Sequence, residues 1–357
     1  MLQYLQRKAV KILALTVVPL LTFTPIVYAQ SGRIVPAAAN KNKVCICDPK
    51  DPFDPRARMP QGPFKGRCMS CKQRSVRLLS PVETIPYNAA PDMLVIANFN
   101  YKGKYWVAKI PKNAVEDVIF QIQYYNVLPS PYTAHSQIRF RLKPGYEAIL
   151  VPQSIGVAPT EIRMRDFVYA ANAMLVEGGE WNPATGLLDF FAIAHEFISL
   201  EDRIKDAFEY KLTDRVEQIR LALTPQQKQE LLMSAILQGD RDRTNSMYDT
   251  LNKNCTSEVL RAVDRTIGYN PKLAQKGKPE VFISMPTGPA VDEALFKGNL
   301  TPDKLNKIVI ERLAQLSKIP IPTPPYEAIV RRKLVNSKSK IANLEVEFPR
   351  EFNSSRP

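Results

Sequence analysis

Histidine is scarce in this chain, with two residues in 357. The sequence contains no H-E-x-x-H and no G-x-S-x-G, which leaves the zinc-protease and serine-hydrolase classes without a motif. It also contains no glycine-rich phosphate loop and no internal repeat. Any catalysis that needs an imidazole must therefore use His135 or His195, and nothing in the sequence indicates a cofactor.

Long apolar runs are missing after residue 29, so no later stretch is predicted to cross a bilayer. The one such run, over 12–27, follows a positively charged stretch (7–11) and leads to the small residue Ala29. This pattern predicts a signal peptide over residues 1–29, with an uncleaved anchor as the alternative. We therefore expect an exported protein of a Gram-negative bacterium, either periplasmic or secreted.

Acidic residues are outnumbered, because 49 Lys and Arg against 35 Asp and Glu give a formal net charge of +14. The basic residues are dispersed and are not interleaved with aromatic residues in any one stretch. This distribution is typical of a solvated basic surface, so we expect no nucleic-acid partner. A peripheral contact with an anionic membrane surface fits the same charge.

Four of the five cysteines lie in a proline-rich segment over 30–92 that has too little periodicity to form much core. Cys45 and Cys47 form a C-x-C pair, and Cys68 and Cys71 form a C-x-x-C pair. Four thiolates at this spacing could hold a tetrahedral zinc ion. Export to an oxidising compartment favours two disulfides instead, so we predict disulfides and no metal.

From residue 93 onward the sequence favours β-strands, because β-branched and aromatic residues recur between short polar breaks. Gly103 indicates a hairpin turn, and residues 143–145 indicate a second turn between 134–142 and its return strand 146–153. The expected fold is an antiparallel sheet. The predicted strands span 93–100, 104–110, 117–127, 134–142 and 146–153, with a long strand or a strand pair over 161–176.

From about residue 186 the sequence has a mixed character, and after Asn270 it becomes rich in proline and lysine. A helix over 223–237 is predicted from Thr224 as N-cap, the proline after it and Gln227, which completes a capping box. The other predictions for this half are a short strand over 209–212, an amphipathic helix over 301–317 and a loosely attached polar remainder up to Pro357.

The fifth cysteine, Cys255, stands at the predicted start of a further helix. Asn254 before it is a good N-cap, Gly268 supplies the stop, and apolar residues repeat at helical spacing between them. A thiol at this position meets unpaired N–H groups and the positive end of the helix dipole, which favour the nucleophilic thiolate. The alternative interpretation is a small buried hydrophobe at a helix start.

A cysteine nucleophile needs a base within hydrogen-bond reach. His135 begins the predicted strand 134–142, and a strand edge can face a cleft, so it is the better candidate. His195 lies among apolar residues, and this setting predicts a packed, hydrogen-bonded core residue.

Three parts of the sequence carry a resemblance: AHSQIRFRL (134–142), EYKL (209–212) with LTPQQKQELL (223–232), and YDTLNKNCTSEVL (248–260). They resemble the Lnb N-terminal periplasmic domain family of bacteria. The order of a histidine strand and an Asn-Cys helix start is also similar to circularly permuted papain-like proteins, including the lecithin:retinol acyltransferase group. The resemblance covers about residues 95–268. It implies an α+β fold with an antiparallel sheet packed on helices and a nucleophile at a helix N-terminus.

This resemblance makes Cys255 the nucleophile and His135 its base. Asn254 would cap the helix, and the N–H groups of the first turn would hold the oxyanion. The group that orients the imidazole stays open between two residues of the predicted return strand. The supporting residues are Tyr248, upstream of the cysteine, and Glu147 or Gln153.

The resemblance implies acyl transfer through a Cys255 thioester, with a lipid or lipoprotein as the substrate. A cysteine peptidase or amidase acting on cell-wall peptides is one alternative, and a non-catalytic periplasmic binding module is another. The expected domains are the signal peptide (1–29), the Cys/Pro-rich segment (30–92), the catalytic domain (93–270) and a C-terminal helix and tail (271–357).

Overall fold

A computed structural model of the protein describes residues 44–55, 57–62, 64–124, 134–179, 186, 189–209, 215–241, 246–250, 252–271, 280, 282 and 323–349. The predicted signal peptide (1–29) and the predicted helix over 301–317 lie outside these residues, as does all but the first residue of the predicted strand 209–212.

One sheet of ten strands dominates the described part of the chain. Its order is β10-β4-β5-β8-β9-β2-β3-β6-β7, with β1 paired to β2 beside this path. All pairs are antiparallel except β2 with β9. The strands are β1 (Arg77–Leu78), β2 (Met93–Tyr101), β3 (Lys104–Pro111), β4 (Val115–Tyr124), β5 (Ala134–Leu142), β6 (Ala148–Pro152), β7 (Ile162–Met164), β8 (Asp166–Met174), β9 (Ala192–Ser199) and β10 (Val216–Arg220).

The described helices flank this sheet on both faces, so the predicted α+β organisation is confirmed at this coarse level. The long helix predicted from its capping box begins at Pro225, with Thr224 as its cap. The helices are α1 (Pro81–Thr84, followed by a 3-10 turn over Ile85–Tyr87), α2 (Leu200–Glu209), α3 (Pro225–Asp240), α4 (Cys255–Ile267), α5 (Pro325–Arg331) and α6 (Leu344–Glu347).

The two predicted turns had different outcomes. The β2–β3 hairpin turns at Lys102 and Gly103, whose φ angles of 50° and 70° are the positive values that a type I′ turn requires. The turn over 143–145 also forms, since Tyr146 N donates to Lys143 O. However, β6 is not the partner of β5, so the predicted return strand is wrong: β8, β9, β2 and β3 lie between them. Strand periodicity shows which side chains share a face but not which strand lies alongside.

The two faces of the sheet are covered by different elements. Helices α3 and α4 pack on the face that we call the inner face, around an apolar core that includes Phe140, Phe197 and Val259. The opposite, outer face is covered by α2 and α6 over β8 and β10. At β2 and β3 it is covered by the N-terminal segment through Phe53 and Leu79.

The N-terminal segment is held by disulfides, as predicted, rather than by zinc. Cys45 pairs with Cys68, and Cys47 pairs with Cys71. Within the described ranges, no group of three or more His, Cys, Asp or Glu side chains is arranged to hold a metal ion. No helix among these residues is long and apolar enough to span a membrane.

The C-terminal remainder was expected to be loosely attached, and for residues 323–349 this is wrong. Backbone bonds join it to the sheet region, from Arg220 N to Ser339 O and from Ala222 N to Leu334 O. Arg332, which is buried, forms an ion pair with Asp264 of α4. Low hydrophobicity along the sequence did not reveal these contacts, because they are made by backbone groups and charges.

Candidate functional site

Helix α4 places the candidate nucleophile at its first position. Asn254 is the N-cap, and its Oδ1 accepts hydrogen bonds from Thr256 N at 3.0 Å and Ser257 N at 3.1 Å. The helix ends at Gly268, whose φ of 66° is the left-handed conformation that favours glycine. The predicted start and stop of this helix are therefore confirmed.

The Cys255 side chain lies against the inner face of β5. Its exposed fraction is 1%, and it is not part of a disulfide. The sulfur lies 3.9 Å from Ala134 O, and the neighbouring Thr256 Oγ1 donates to Ser136 Oγ at 2.9 Å. The start of α4 is thus fixed over the first residues of β5.

His135 projects from the opposite face of the same strand. Successive side chains of a strand alternate between faces. Ala134 belongs to the inner core and Ser136 accepts from Thr256 of α4, so both face α4. The His135 Nε2 instead lies 2.6 Å from Arg203 Nη2 of α2, on the outer face. The residue is buried, and β5 lies inside the sheet between β4 and β8 rather than at an edge.

The electrostatic setting keeps the His135 imidazole neutral. Burial, followed by the charge of the Arg203 guanidinium, holds the pKa of His135 well below its ordinary value, and a hydrogen bond with Gln137 opposes this only in part. Because an arginine can only donate, Nε2 acts as an acceptor and the ring proton sits on Nδ1.

The described conformation therefore does not bring Cys255 and His135 together as a nucleophile and base. The backbone of β5 separates the imidazole from the sulfur. The expectation that His135 faces a cleft at a strand edge is wrong, because the side-chain parity of β5 turns it to the outer face, where α2 covers it.

The predicted oxyanion donors are also engaged. The N–H groups of Thr256 and Ser257 both donate to Asn254 Oδ1. Asn254 in turn donates through Nδ2 to Thr250 O at 2.8 Å and to Phe282 O at 2.7 Å. Asn254 is a helix cap, as predicted.

The residues proposed to orient His135 lie elsewhere. Glu147 is half-exposed and forms an ion pair with Arg163. Gln153 is buried in a network with Asp51 and Asn98, beneath the N-terminal segment. They flank β6, which is the fifth strand from β5 in the order of the sheet. At about 4.8 Å per strand, roughly 24 Å of sheet separates β6 from β5. Neither can reach the imidazole.

Tyr248 is buried in a satellite apolar cluster at the ends of β8 and β9. Its backbone N donates to Phe191 O at 2.8 Å. This packing accounts for an aromatic residue just upstream of the cysteine helix.

His195 is a packed core residue, as predicted. It is fully buried, and its Nδ1 lies 2.8 Å from the hydroxyl of Tyr169. Sequence reasoning missed its second partner, Glu258, whose Oε2 lies 3.6 Å from Nε2. Glu258 is fully buried one helical turn after Cys255 and also pairs with Arg261. The sequence did contain a signal for this pair, because Glu258 is a carboxylate that occupies one of the core-facing positions of α4.

Glu196 is a second buried carboxylate that sequence reasoning missed. It lies on the outer face of β9, where Asn172 Nδ2 donates to it at 2.5 Å. Burial raises the pKa of Glu196 to about 7, although the Asn172 hydrogen bond and the Arg203 charge work in the other direction. Groups with a pKa near neutrality cluster at functional sites, so the outer face around Glu196 is a candidate functional surface as well as the Cys255 side.

A cavity of about 300 Å³ lies between the N-terminal segment and the end of α3. Phe53, Arg77, Asn98 and Asp240 are among its lining residues, which include neither Cys255 nor a histidine.

Comparison with known proteins supports the resemblance noted in the sequence. Residues 102–287, just over half of the chain, match the family described as the Lnb N-terminal periplasmic domain. No curated protein and no solved structure gives a significant match. The match includes Cys255 and both histidines, and the described location of this domain places the protein in the periplasm. The chain belongs to the Lnb N-terminal periplasmic domain family.

Proposed function

We propose that this periplasmic protein is a thiol acyltransferase with a permuted papain-like core, in which Cys255 carries an acyl group as a thioester. The observation that carries the proposal is the state of Cys255. Four of the five cysteines form disulfides, whereas Cys255 stays outside them at the capped start of a 13-residue helix. The helix dipole at this position favours the thiolate.

The proposed reaction has two steps. The Cys255 sulfur attacks the carbonyl carbon of a lipid ester, a C–S bond forms, and the ester C–O bond breaks as the alcohol leaves with a proton. An amine acceptor then attacks the thioester, the C–S bond breaks, and an amide and the free Cys255 thiol are formed. His135 would take the thiol proton and pass it to the leaving alcohol, and would then take a proton from the amine and return it to the sulfur.

Catalysis by His135 requires a rearrangement at the beginning of β5. The imidazole belongs to the residue after Ala134, whose carbonyl already lies 3.9 Å from the sulfur. A one-residue change of parity moves a side chain to the other face of a sheet. The proposed active state therefore has the His135 ring on the inner face, released from Arg203.

A non-catalytic binding module is the second candidate, and one observation favours it. Arg203 holds His135 on the outer face. A module of this kind would use the family's fold without acyl chemistry, and Cys255 would be a buried packing residue.

Mass spectrometry of acylated peptides separates the two candidates. The purified protein is incubated with vesicles of a phospholipid that carries an alkyne-tagged acyl chain, and the Cys255 peptide is analysed before and after hydroxylamine. Acyl transfer predicts a hydroxylamine-labile adduct that is lost in Cys255→Ser and in His135→Ala. An adduct that persists in His135→Ala would exclude this histidine as the base.

The control for a negative result is iodoacetamide labelling of the unfolded protein. If this shows an intact Cys255 thiol while the folded protein takes no acyl group from the vesicles, the acyltransferase proposal fails. The binding module is then the remaining candidate.

A further inference from the structure

A continuous chain of hydrogen bonds crosses the outer face of the sheet from α2 to α6. Arg203 Nε donates to Gln137 Oε1 at 2.7 Å, and Gln137 Nε2 donates to Gln121 Oε1 at 2.7 Å. Gln121 Nε2 then donates to Gln218 Oε1 at 2.8 Å. Finally, Gln218 Nε2 donates to Glu347 Oε2 at 2.7 Å. The three glutamines are register partners on β5, β4 and β10.

Every donor in this chain points the same way. Arg203 can only donate and an ionised Glu347 can only accept, so the two ends determine which way each amide between them faces. The glutamines are buried, with exposed fractions of 3% or less, so water does not replace a lost partner. A fully satisfied buried network of this kind rigidifies the groups that it contains.

The accepting end is firmly anchored. Arg139 donates to both oxygens of Glu347, at 2.7 and 3.0 Å, and Arg141 donates at 2.6 Å. Arg139 also donates to Gln218 Oε1 at 3.0 Å and to Asp166 at 2.7 Å. This bidentate geometry holds α6 against the sheet.

The donating end meets His135. Arg203 uses Nη2 for the imidazole and Nε for Gln137, so one guanidinium connects the chain to the ring. Among the described residues, two further charged groups interact with Arg203: Asp206 of α2, which lies 3.8 Å away, and Glu196 of β9, which interacts electrostatically with both.

We propose that Arg203, Gln121 and Glu347 are positioning residues for His135, and that the polarised chain holds Arg203 against the imidazole and thereby keeps it on the outer face, away from Cys255. The catalytic meaning of this arrangement rests on the proposed function. The positioning itself does not, because it can be measured without any acyl transfer.

Histidine-selective NMR on the full mature chain tests this proposal with little ambiguity, since the sequence contains two imidazoles. The ring ¹⁵N signals are titrated with pH, and His135→Gln identifies the signal of His135. In the native protein we expect a neutral ring with Nδ1 protonated and a midpoint below the ordinary value.

The variants are expected to shift the His135 midpoint less the further they lie from His135 along the chain of hydrogen bonds. Arg203→Met should shift the His135 midpoint upward the most, because it removes the adjacent positive charge. Gln121→Leu should shift it less, and Glu347→Gln least, because each only loosens the hold on Arg203. Arg163→Met, a charge removed from an exposed position, should leave the midpoint unchanged.

An unchanged midpoint in Arg203→Met would show that burial alone sets the state of His135 and would overturn the proposal. A shift in Arg203→Met with none in either Gln121→Leu or Glu347→Gln would show that Arg203 acts without the chain, which also overturns it. The His195 signal reports whether each variant keeps its fold.

If Gln121→Leu does not fold, Gln121→Met replaces it. Methionine has a similar size, carries no charge and cannot donate to Gln218, so the same upward shift is expected. If the native protein takes no acyl group while the variants still shift the His135 midpoint, the proposed function alone is refuted. If the native protein is acylated at Cys255 but the variants leave the His135 midpoint unchanged, the positioning alone is refuted.

Discussion

The two faces of strand β5 are both buried but differ in chemistry. The inner face is largely apolar and packs under α4, whereas the outer face is polar and hydrogen-bonded to α2 and α6. A strand of alternating apolar and polar residues usually has one face in water. Here the polar face is covered as well, so a histidine within it is fixed rather than exposed. The inner residues are Ala134, Ser136, Ile138, Phe140 and Leu142, and the outer ones are His135, Gln137, Arg139 and Arg141.

The same comparison explains the separation of the two candidate catalytic groups. Cys255 belongs to the inner layer because α4 packs there, and its sulfur reaches the β5 backbone at Ala134. His135 is the next residue of that strand and therefore belongs to the outer layer. Proximity along a strand does not bring side chains together unless their positions have the same parity.

The largest effect is expected on the inner face. Phe140→Ala should lower the free energy of unfolding by about 3–5 kcal/mol, because it leaves a cavity among Phe167 and Phe197. Urea unfolding measures this loss. Tyr146→Ala, at a half-exposed position, is the control, and we expect it to cost about 0.5 kcal/mol or less. Equal losses in both variants would contradict an inner core at β5.

Arg139→Met, at the residue before Phe140 on β5, removes the central ion pairs of the outer face. We expect a loss of about 3 kcal/mol, because Glu347 and Asp166 lose a buried partner while the methionine fills most of the space. The exposed Arg163→Met should be nearly neutral in the same urea experiment. A neutral Arg139→Met would mean that the outer network adds little to stability.

Glu196→Gln sharpens the contrast through its pH dependence. The pKa of Glu196 is raised to about 7 by burial, so its stabilising contribution is complete below about pH 4.5 and is lost as the pH rises through 7. Glutamine stays neutral, so the variant should be more stable than the native protein by about 2–3 kcal/mol at pH 8 and about equal at pH 4.5. A difference that does not change between these pH values would rule out the burial explanation.

The smallest effect is expected at the cap of α4. Asn254→Ala removes the acceptor for Thr256 N and Ser257 N and should cost about 1–2 kcal/mol. Asn252→Ala, at an exposed position in the preceding turn, should cost much less. Asn254→Ala also frees the N–H groups of Thr256 and Ser257 at the start of the helix. If these are the oxyanion donors of the proposed reaction, any acylation of Cys255 should become faster rather than slower.

Local signals in the sequence predicted local structure well. The capping box at Thr224, the Asn254 cap, the Gly103 hairpin and the two disulfides are confirmed because each depends on residues that are close in the chain or on the redox state of the compartment. The signal peptide and the catalytic roles of Cys255 and His135 stay predictions.

Non-local relations were not predictable in the same way. The partner of β6, the docking of residues 323–349 and the buried Glu258 beside His195 depend on which elements meet in space. Hydrophobic periodicity assigns a side chain to a face, but it does not say what covers that face.

The sequence by itself determined strands β2 to β5, helix α3, the helix that begins at Cys255 and the family, because capping, periodicity and motif spacing act over a few residues. Only the tertiary structure decided that Cys255 and His135 lie on opposite sides of one strand and that the polar side is closed by α2 and α6. The physical reason is that neighbouring side chains of a strand point to opposite faces of the sheet. The elements that cover the outer face come from distant parts of the sequence, since Arg203 is 68 residues after His135 and Glu347 is 208 residues after Arg139.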